Sequence, residues 1–167
     1  MSDRPTAAPL LTCRSVDHLA YTVPDLDAAV AFFRDVLGAK EIYRSAGPDE
    51  KNAATFAERF NTHRDAGYRL SKLTLGGAMF ELFEYSAPDL ARTMPRNCDA
   101  GGGHFAVAVD DVPAAAEMLR SQPGVRVLGQ PSEIGPGHPL AGRHWVYFLT
   151  PWGLQIELVS SNNCDTQ

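Results

Sequence analysis

Long apolar runs, basic clusters and regularly spaced cysteines are all missing from this chain, and each absence removes a class of function. No stretch of about eighteen apolar residues occurs, so no membrane-spanning helix is expected. The opening, MSDRPTAAPLLTCRS, has one short apolar patch and no basic region leading into a longer one. It reads as a flexible tail over 1–13, not as a signal peptide, and 161–167 reads as a second tail. Lysine and arginine never gather into a run, and the net charge is −5, which argues against nucleic acid as a partner. Cys13, Cys98 and Cys164 are odd in number and share no metal-ligand spacing. That pattern fits a reducing cytoplasm better than a disulfide framework.

What is present is a duplication. Displacing the chain by 86 positions lays HLAYTVPDLDAAV (18–30) over HFAVAVDDVPAAA (104–116), with His18 on His104, Asp25 on Asp111 and Gly38 on Gly124. At a displacement of 76, GAMFELFEY (77–85) meets GLQIELVSS (153–161), with Glu81 on Glu157. A repeat of this kind sets the architecture before any single element is assigned. In the first half, residues 16–23 alternate as a half-buried strand. Asp25 then caps a helix whose stripe is Leu26, Ala29, Val30, Phe33 and Leu37, ended by Gly38. Strands follow at 39–44, 67–75 and 78–85, the last two joined at Gly76-Gly77. The second half repeats the order. A strand from Gly103 to Val109 leads to a helix capped by Asp111, then strands at 125–129, 143–149 and 154–159.

Alternate strand residues face opposite sides of a sheet. His18, Glu81, His104 and Glu157 all fall on the phase opposite the apolar residues that would pack on the helices. Singly, a strand histidine is more often hydrogen-bonded or solvated than a ligand, and a strand glutamate is usually the polar half of an alternation. Two of each, equivalent by duplication and on the same phase, make an N2O2 set suited to one divalent ion, Mn, Fe, Co, Ni or Zn.

The doubled strand–helix–three-strand unit with these four residues resembles the vicinal oxygen chelate superfamily over about residues 14–160. VDHLAYTVPDLDAAVAFFRDVLGA is similar to its opening motif, GGGHFAVAVDDV to its second opening and FLTPWGLQIELV to its closing strand. The resemblance implies an α+β fold of two tandem βαβββ modules, 14–100 with an insertion at 45–65 and then 101–160. Their mostly antiparallel strands would form a curved cup around the metal, often in homodimers. Four protein ligands leave two octahedral positions, enough for adjacent oxygens of a small-molecule substrate. By similarity to glyoxalase I, Glu157 doubles as ligand and base, and Glu81 exchanges protons from the other side. Ring-cleaving dioxygenases and fosfomycin-inactivating transferases of this superfamily generally lack a ligand at the position of Glu81. An isomerase, lyase or epimerase therefore ranks first, ahead of those enzymes and of metal-free bleomycin-binding relatives.

Met79, Phe83 and Tyr85 share the phase of Glu81, and Gln155 that of Glu157, so they are candidate pocket walls. Arg44, Arg69 and Arg143 are candidate anchors for substrate carboxylates. The insertion reads as a short helix within 49–60 that places His63 and Arg59 near the substrate, and the Gly/Pro-rich segment 131–142 as a loop carrying His138. His144 reads as structural, and Trp145 and Trp152 as packing residues. Sugar-like cyclic ketones such as valiolones remain substrate candidates. A CoA ester is a looser match, because no run of Lys and Arg appears.

Overall fold

A computed structural model describes residues 10–49 and 51–161. The expected tails lie largely outside them, as does Cys164. Among the described residues no helix is long and apolar enough to cross a membrane. The chain divides between Leu90 and Ala91 into two compact units, and residues 91–100 therefore belong with the second.

The first unit runs β1 (Leu19–Thr22), α1 (Leu26–Asp35), β2 (Lys40–Gly47), α2 (Ala53–Phe60), β3 (Gly67–Leu75) and β4 (Ala78–Ser86). Its four strands form one mixed sheet in the order β1-β4-β3-β2. The β1–β4 pair is parallel and the other two are antiparallel. Asp25 starts α1 as expected: its backbone is extended and its carboxylate accepts from Ala28 N at 2.9 Å, satisfying a donor the first turn leaves open. Gly76 and Gly77 both take positive φ, as a two-residue type I′ hairpin requires.

Parity then builds the core. Leu26, Val30 and Phe33 of α1 are buried against Leu73, Phe80 and Leu82 of the sheet, with Phe33 and Phe80 ring centroids 5.9 Å apart. A polar network fastens the same face. Glu84 Oε2 accepts from Leu26 N at 2.7 Å and from Arg69 at 2.6 Å. Arg69 also binds Asp27, as does Arg44, which further donates to Glu41 at 2.5 Å. This corrects the reading of Arg44 and Arg69 as substrate anchors. Arg44 pairs with Ser71, and Ser71 with Leu82, while Arg69 pairs with Glu84. Both therefore stand on the helix side, one phase away from Glu81.

The second unit runs β5 (His104–Val109), α3 (Val112–Arg120), β6 (Arg126–Glu133), β7 (His144–Leu149) and β8 (Gln155–Ser160). Its sheet repeats the first in the order β5-β8-β7-β6, with β5–β8 parallel. Asp111 caps α3 by accepting from Ala114 N at 2.8 Å. Val112, Ala116 and Leu119 bury against Val146, Phe148, Ile156 and Leu158. The strand expected at 125–129 continues to Glu133 through a register shift between Leu128 and Ser132, where Gly129 takes φ +78°. Arg143 donates twice to the Ser160 carbonyl, at 3.0 and 2.6 Å, so the third candidate anchor ties β7 to β8.

Two outcomes test this packing. Leu82→Ala, at a fully buried position, should lower stability by about 3 kcal/mol, read as a shift in urea midpoint with little change in slope. Ser71, then Arg44, hold the Glu41 carboxyl below its usual range by hydrogen bonding. Because the folded value is depressed, the stabilisation is complete at neutral pH and disappears as pH falls through that value. Glu41→Gln should therefore cost stability at pH 7, and the difference from wild type should vanish in acid.

Candidate functional site

The face of each sheet away from its helix carries a histidine–glutamate pair. In the first unit Ala20 is opposite Glu81 across the parallel β1–β4 pair, and His18 lies two residues earlier on the same phase. Its Nε2 stands 3.4 Å from Glu81 Oε2, and its Nδ1 stands 2.8 Å from Asp17 Oδ1. In the second unit Ala106 is opposite Glu157, with His104 again two residues earlier. His104 Nε2 lies 3.2 Å from Glu157 Oε2, and Nδ1 lies 3.0 Å from Asn97 Oδ1.

The orienting partners decide what these pairs can hold. Asp17 Oδ1 and Asn97 Oδ1 stand within hydrogen-bond distance of the two Nδ1 atoms; in the tautomer with the proton on Nδ1, each Nε2 presents a lone pair. In that tautomer each Nε2 faces a carboxylate oxygen, a nitrogen and an oxygen donor that a cation would satisfy together. Each pair is thus one nitrogen and one oxygen donor with the outer partner that ligating histidines ordinarily have. The donor chemistry fits a divalent transition metal. Among the described residues, no three His, Cys, Asp or Glu form a group that could hold a metal ion. The four expected ligands are brought together as two pairs, one inside each unit.

Three neighbours escaped the sequence reading. Lys72, opposite Glu81 on β3, sets its Nζ 3.4 Å from Glu81 Oε1. The hairpin centred on Gly76-Gly77 places these two residues symmetrically about the turn, so that register was available in the sequence. Tyr147 stands opposite Glu157 on β7, with its hydroxyl 3.4 Å from His104 Nε2. Burial, then Glu157, pushes its phenol above the usual range. Asn97 belongs to a turn held by Arg96 and Asp99 and by Gly102 N donating to Asp99 O at 2.8 Å. A Cβ on Gly102 would stand 1.9 Å from the Arg96 carbonyl oxygen. The glycines before His104 thus let the chain fold back and bring Asn97 to the imidazole.

The remaining candidates separate. Phe83 and Tyr85 stack at 5.4 Å on the face of Glu81, beside Tyr68 at 5.7 and 6.3 Å. Phe56 and Phe60 of α2 stack on Tyr68 at 5.5 and 5.7 Å. The insertion is therefore a roof docked on that end of the sheet. Met79 shares the phase and is more than a third exposed. Gln155 lines a cavity of about 780 Å³ in the second unit. His63 and His138 stay in their own turns, their Nδ1 atoms accepting from Asp65 N and Leu140 N. Trp145 packs edge-on against Tyr147 at 5.4 Å.

With this geometry in place, the relatives become informative. The sequence profile of the Glyoxalase/Bleomycin resistance protein/Dioxygenase superfamily matches residues 15–158. The chain belongs to that superfamily. It is 50% identical over 147 residues to a 2-epi-5-epi-valiolone epimerase from an Actinomyces species, covering 87% of this chain and 79% of that one. It is 31% identical over 140 residues to an ethylmalonyl-CoA/methylmalonyl-CoA epimerase from Cereibacter sphaeroides, covering 81% and 87%. In fold it is similar to a glyoxalase family protein from Bacillus cereus, with a TM-score of 0.72 at 19% identity over 92% of this chain and 98% of that one.

The aromatic roof has its own test. Tyr68→Ala removes the ring on which Phe56 and Phe60 stack, so amide hydrogen exchange across 53–60 should quicken while the β3–β4 amides stay protected. Unchanged exchange in α2 would mean that other contacts hold it.

Proposed function

We propose that this protein is a metal-dependent epimerase that removes and returns a proton at the carbon beside a carbonyl of a small hydroxy-ketone substrate. Relatives named as epimerases support this reading, as does the duplicated donor pair. His18, Glu81, His104 and Glu157 would hold one divalent ion per chain. Such an ion supplies Lewis acidity, stabilising negative charge on a substrate oxygen when the neighbouring C–H bond breaks.

The observation that carries the assignment of roles is an asymmetry between the two carboxylates. Glu81 has an ammonium, Lys72, against its Oε1. Glu157 shares Oε2 with His104, and its Oε1 accepts no hydrogen bond among the described residues. Glu157 therefore has an oxygen available to take the substrate proton, and it is the base in this reading. Epimerisation returns a proton to the opposite face of the carbon. Glu81 is the second exchanging group, with Lys72 positioned to resupply it. Phe83, Tyr85 and the α2 roof exclude water from one end of the sheet face, which strengthens the electrostatics there.

Wild-type protein incubated in D2O with α-hydroxyketones should exchange the α-proton. Glu157→Gln should reduce that exchange by about 10²–10⁴-fold, the usual contribution of a positioned acid or base. Exchange at the wild-type rate in this variant would remove Glu157 from the chemistry. Metal analysis is the second arm. The purified chain should carry one transition metal ion that His104→Ala loses. Asp17→Ala and Asn97→Ala should each weaken metal affinity about 10–100-fold with unchanged circular dichroism.

A further inference from the structure

The cavity of about 780 Å³ is lined wholly by the second unit, from the segment 92–98 and the ends of β6, β7 and β8. Its size is that of a small-molecule site. Three arginines line it: Arg92, Arg96 and Arg126. Arg96 is committed to Asp99 through a bidentate pair. Arg92 and Arg126 have no ion-pair partner among the described residues. Arg34, Arg44, Arg64, Arg69 and Arg120 are ion-paired; Arg14, Arg59 and Arg143 also lack an ion pair among the described residues, but none of them lines the cavity. In a chain of net charge −5, two unpaired guanidiniums facing one cavity are an unneutralised positive site.

Register places this cavity on the face that carries His104 and Glu157. Arg126 is opposite Leu149 on β7, Leu149 is opposite Gln155 on β8, and Gln155 is opposite His104 on β5. These four residues form one row across the sheet. The next row is Leu128, Tyr147, Glu157 and Ala106. Arg126 thus sits three strand spacings, about 14 Å of backbone, from His104, with Leu149 and Gln155 as the floor between them. Asn97, which orients the His104 ring, lines the same cavity.

We propose that this cavity is the subsite for an oxyanion substituent on the substrate, a phosphate ester or a carboxylate, held by Arg126 and Arg92 while the reacting carbon lies at His104 and Glu157. Guanidinium is the group best matched to either anion, since its planar fork donates two parallel hydrogen bonds. Met94, Leu128 and Leu149 supply an apolar wall for the carbon skeleton. The assignment rests on the reading of His104 and Glu157 as the reaction centre, but its test does not.

Propyl phosphate and butyrate, titrated calorimetrically at low salt into the purified protein, report the subsite directly. Saturable binding is expected, weakened about tenfold or more by Arg126→Met and by Arg92→Met, both at exposed positions whose loss should leave the fold intact. His104→Ala should keep this binding while losing metal, which separates failure of the subsite from failure of the epimerase reading. Tighter binding of propyl phosphate assigns a phosphate ester, and tighter binding of butyrate assigns a carboxylate. No saturable binding of either probe, or equal affinity in wild type and both arginine variants, overturns the proposal. Loss of binding in His104→Ala alone would place the anion at the imidazole and overturn it equally.

Discussion

The proposed chemistry depends on an imidazole nitrogen held 3.2–3.4 Å from a carboxylate oxygen, and that contact follows from parallel strand pairing. The first and last strands of each module are parallel neighbours, so the residue opposite the glutamate is fixed and the histidine two positions earlier lies on its diagonal. Ala20 and Ala106 fill the direct positions. Their methyl groups are short beside the histidine and glutamate side chains that meet on the diagonal. An oxygen beside each Nδ1, from Asp17 or Asn97, completes the arrangement, the kind of outer partner that fixes ring orientation in ligating histidines.

Duplication supplied this device twice, and the halves then diverged around it. The residue opposite each glutamate on the third strand is a lysine in one module and a tyrosine in the other. One carboxylate is thereby paired with a fixed cation and the other is not, an inequality that a symmetric pair of carboxylates needs before each can take a different proton role. The ends of the sheets differ as well. The first module covers its face with α2 through a stack of phenyl and phenol rings. The second closes over its own end with the segment 92–98 and keeps a cavity there.

Most of the fold was legible in the sequence because the signals are local and agree with one another. Asp25 and Asp111 cap where the apolar stripes begin, Gly76-Gly77 marks a two-residue hairpin, and strand alternation separates Phe80 and Leu82 from Glu81. Such agreement across levels is what specifies a structure. The two histidine–glutamate pairs of the candidate site were legible for a related reason, since equivalence under duplication needs no knowledge of distance. Lys72 was recoverable from hairpin symmetry. Tyr147 and Asn97 were not: one depends on the length of the turn at Pro151-Trp152-Gly153, and the other on a fold-back that only a glycine with no room for Cβ permits.

The arginines show where sequence reasoning stops. Arg44, Arg69 and Arg143 are candidate anchors in the sequence because a guanidinium matches a substrate carboxylate, yet all three are bound to groups that hold elements together. Strand parity already opposes two of them, since Arg69 is three residues from Lys72 and Arg44 pairs next to it, which turns both toward α1. Arg92 and Arg126 lie 34 positions apart in unrelated segments, so no window along the chain reveals that they share a cavity. A guanidinium becomes a candidate for ligand binding only when its carboxylate partners are accounted for, and that accounting is tertiary. The absence of a basic run argues against a long polyanion and makes a CoA ester the looser match. It does not exclude a single oxyanion, the ligand proposed for the cavity that Arg92 and Arg126 line.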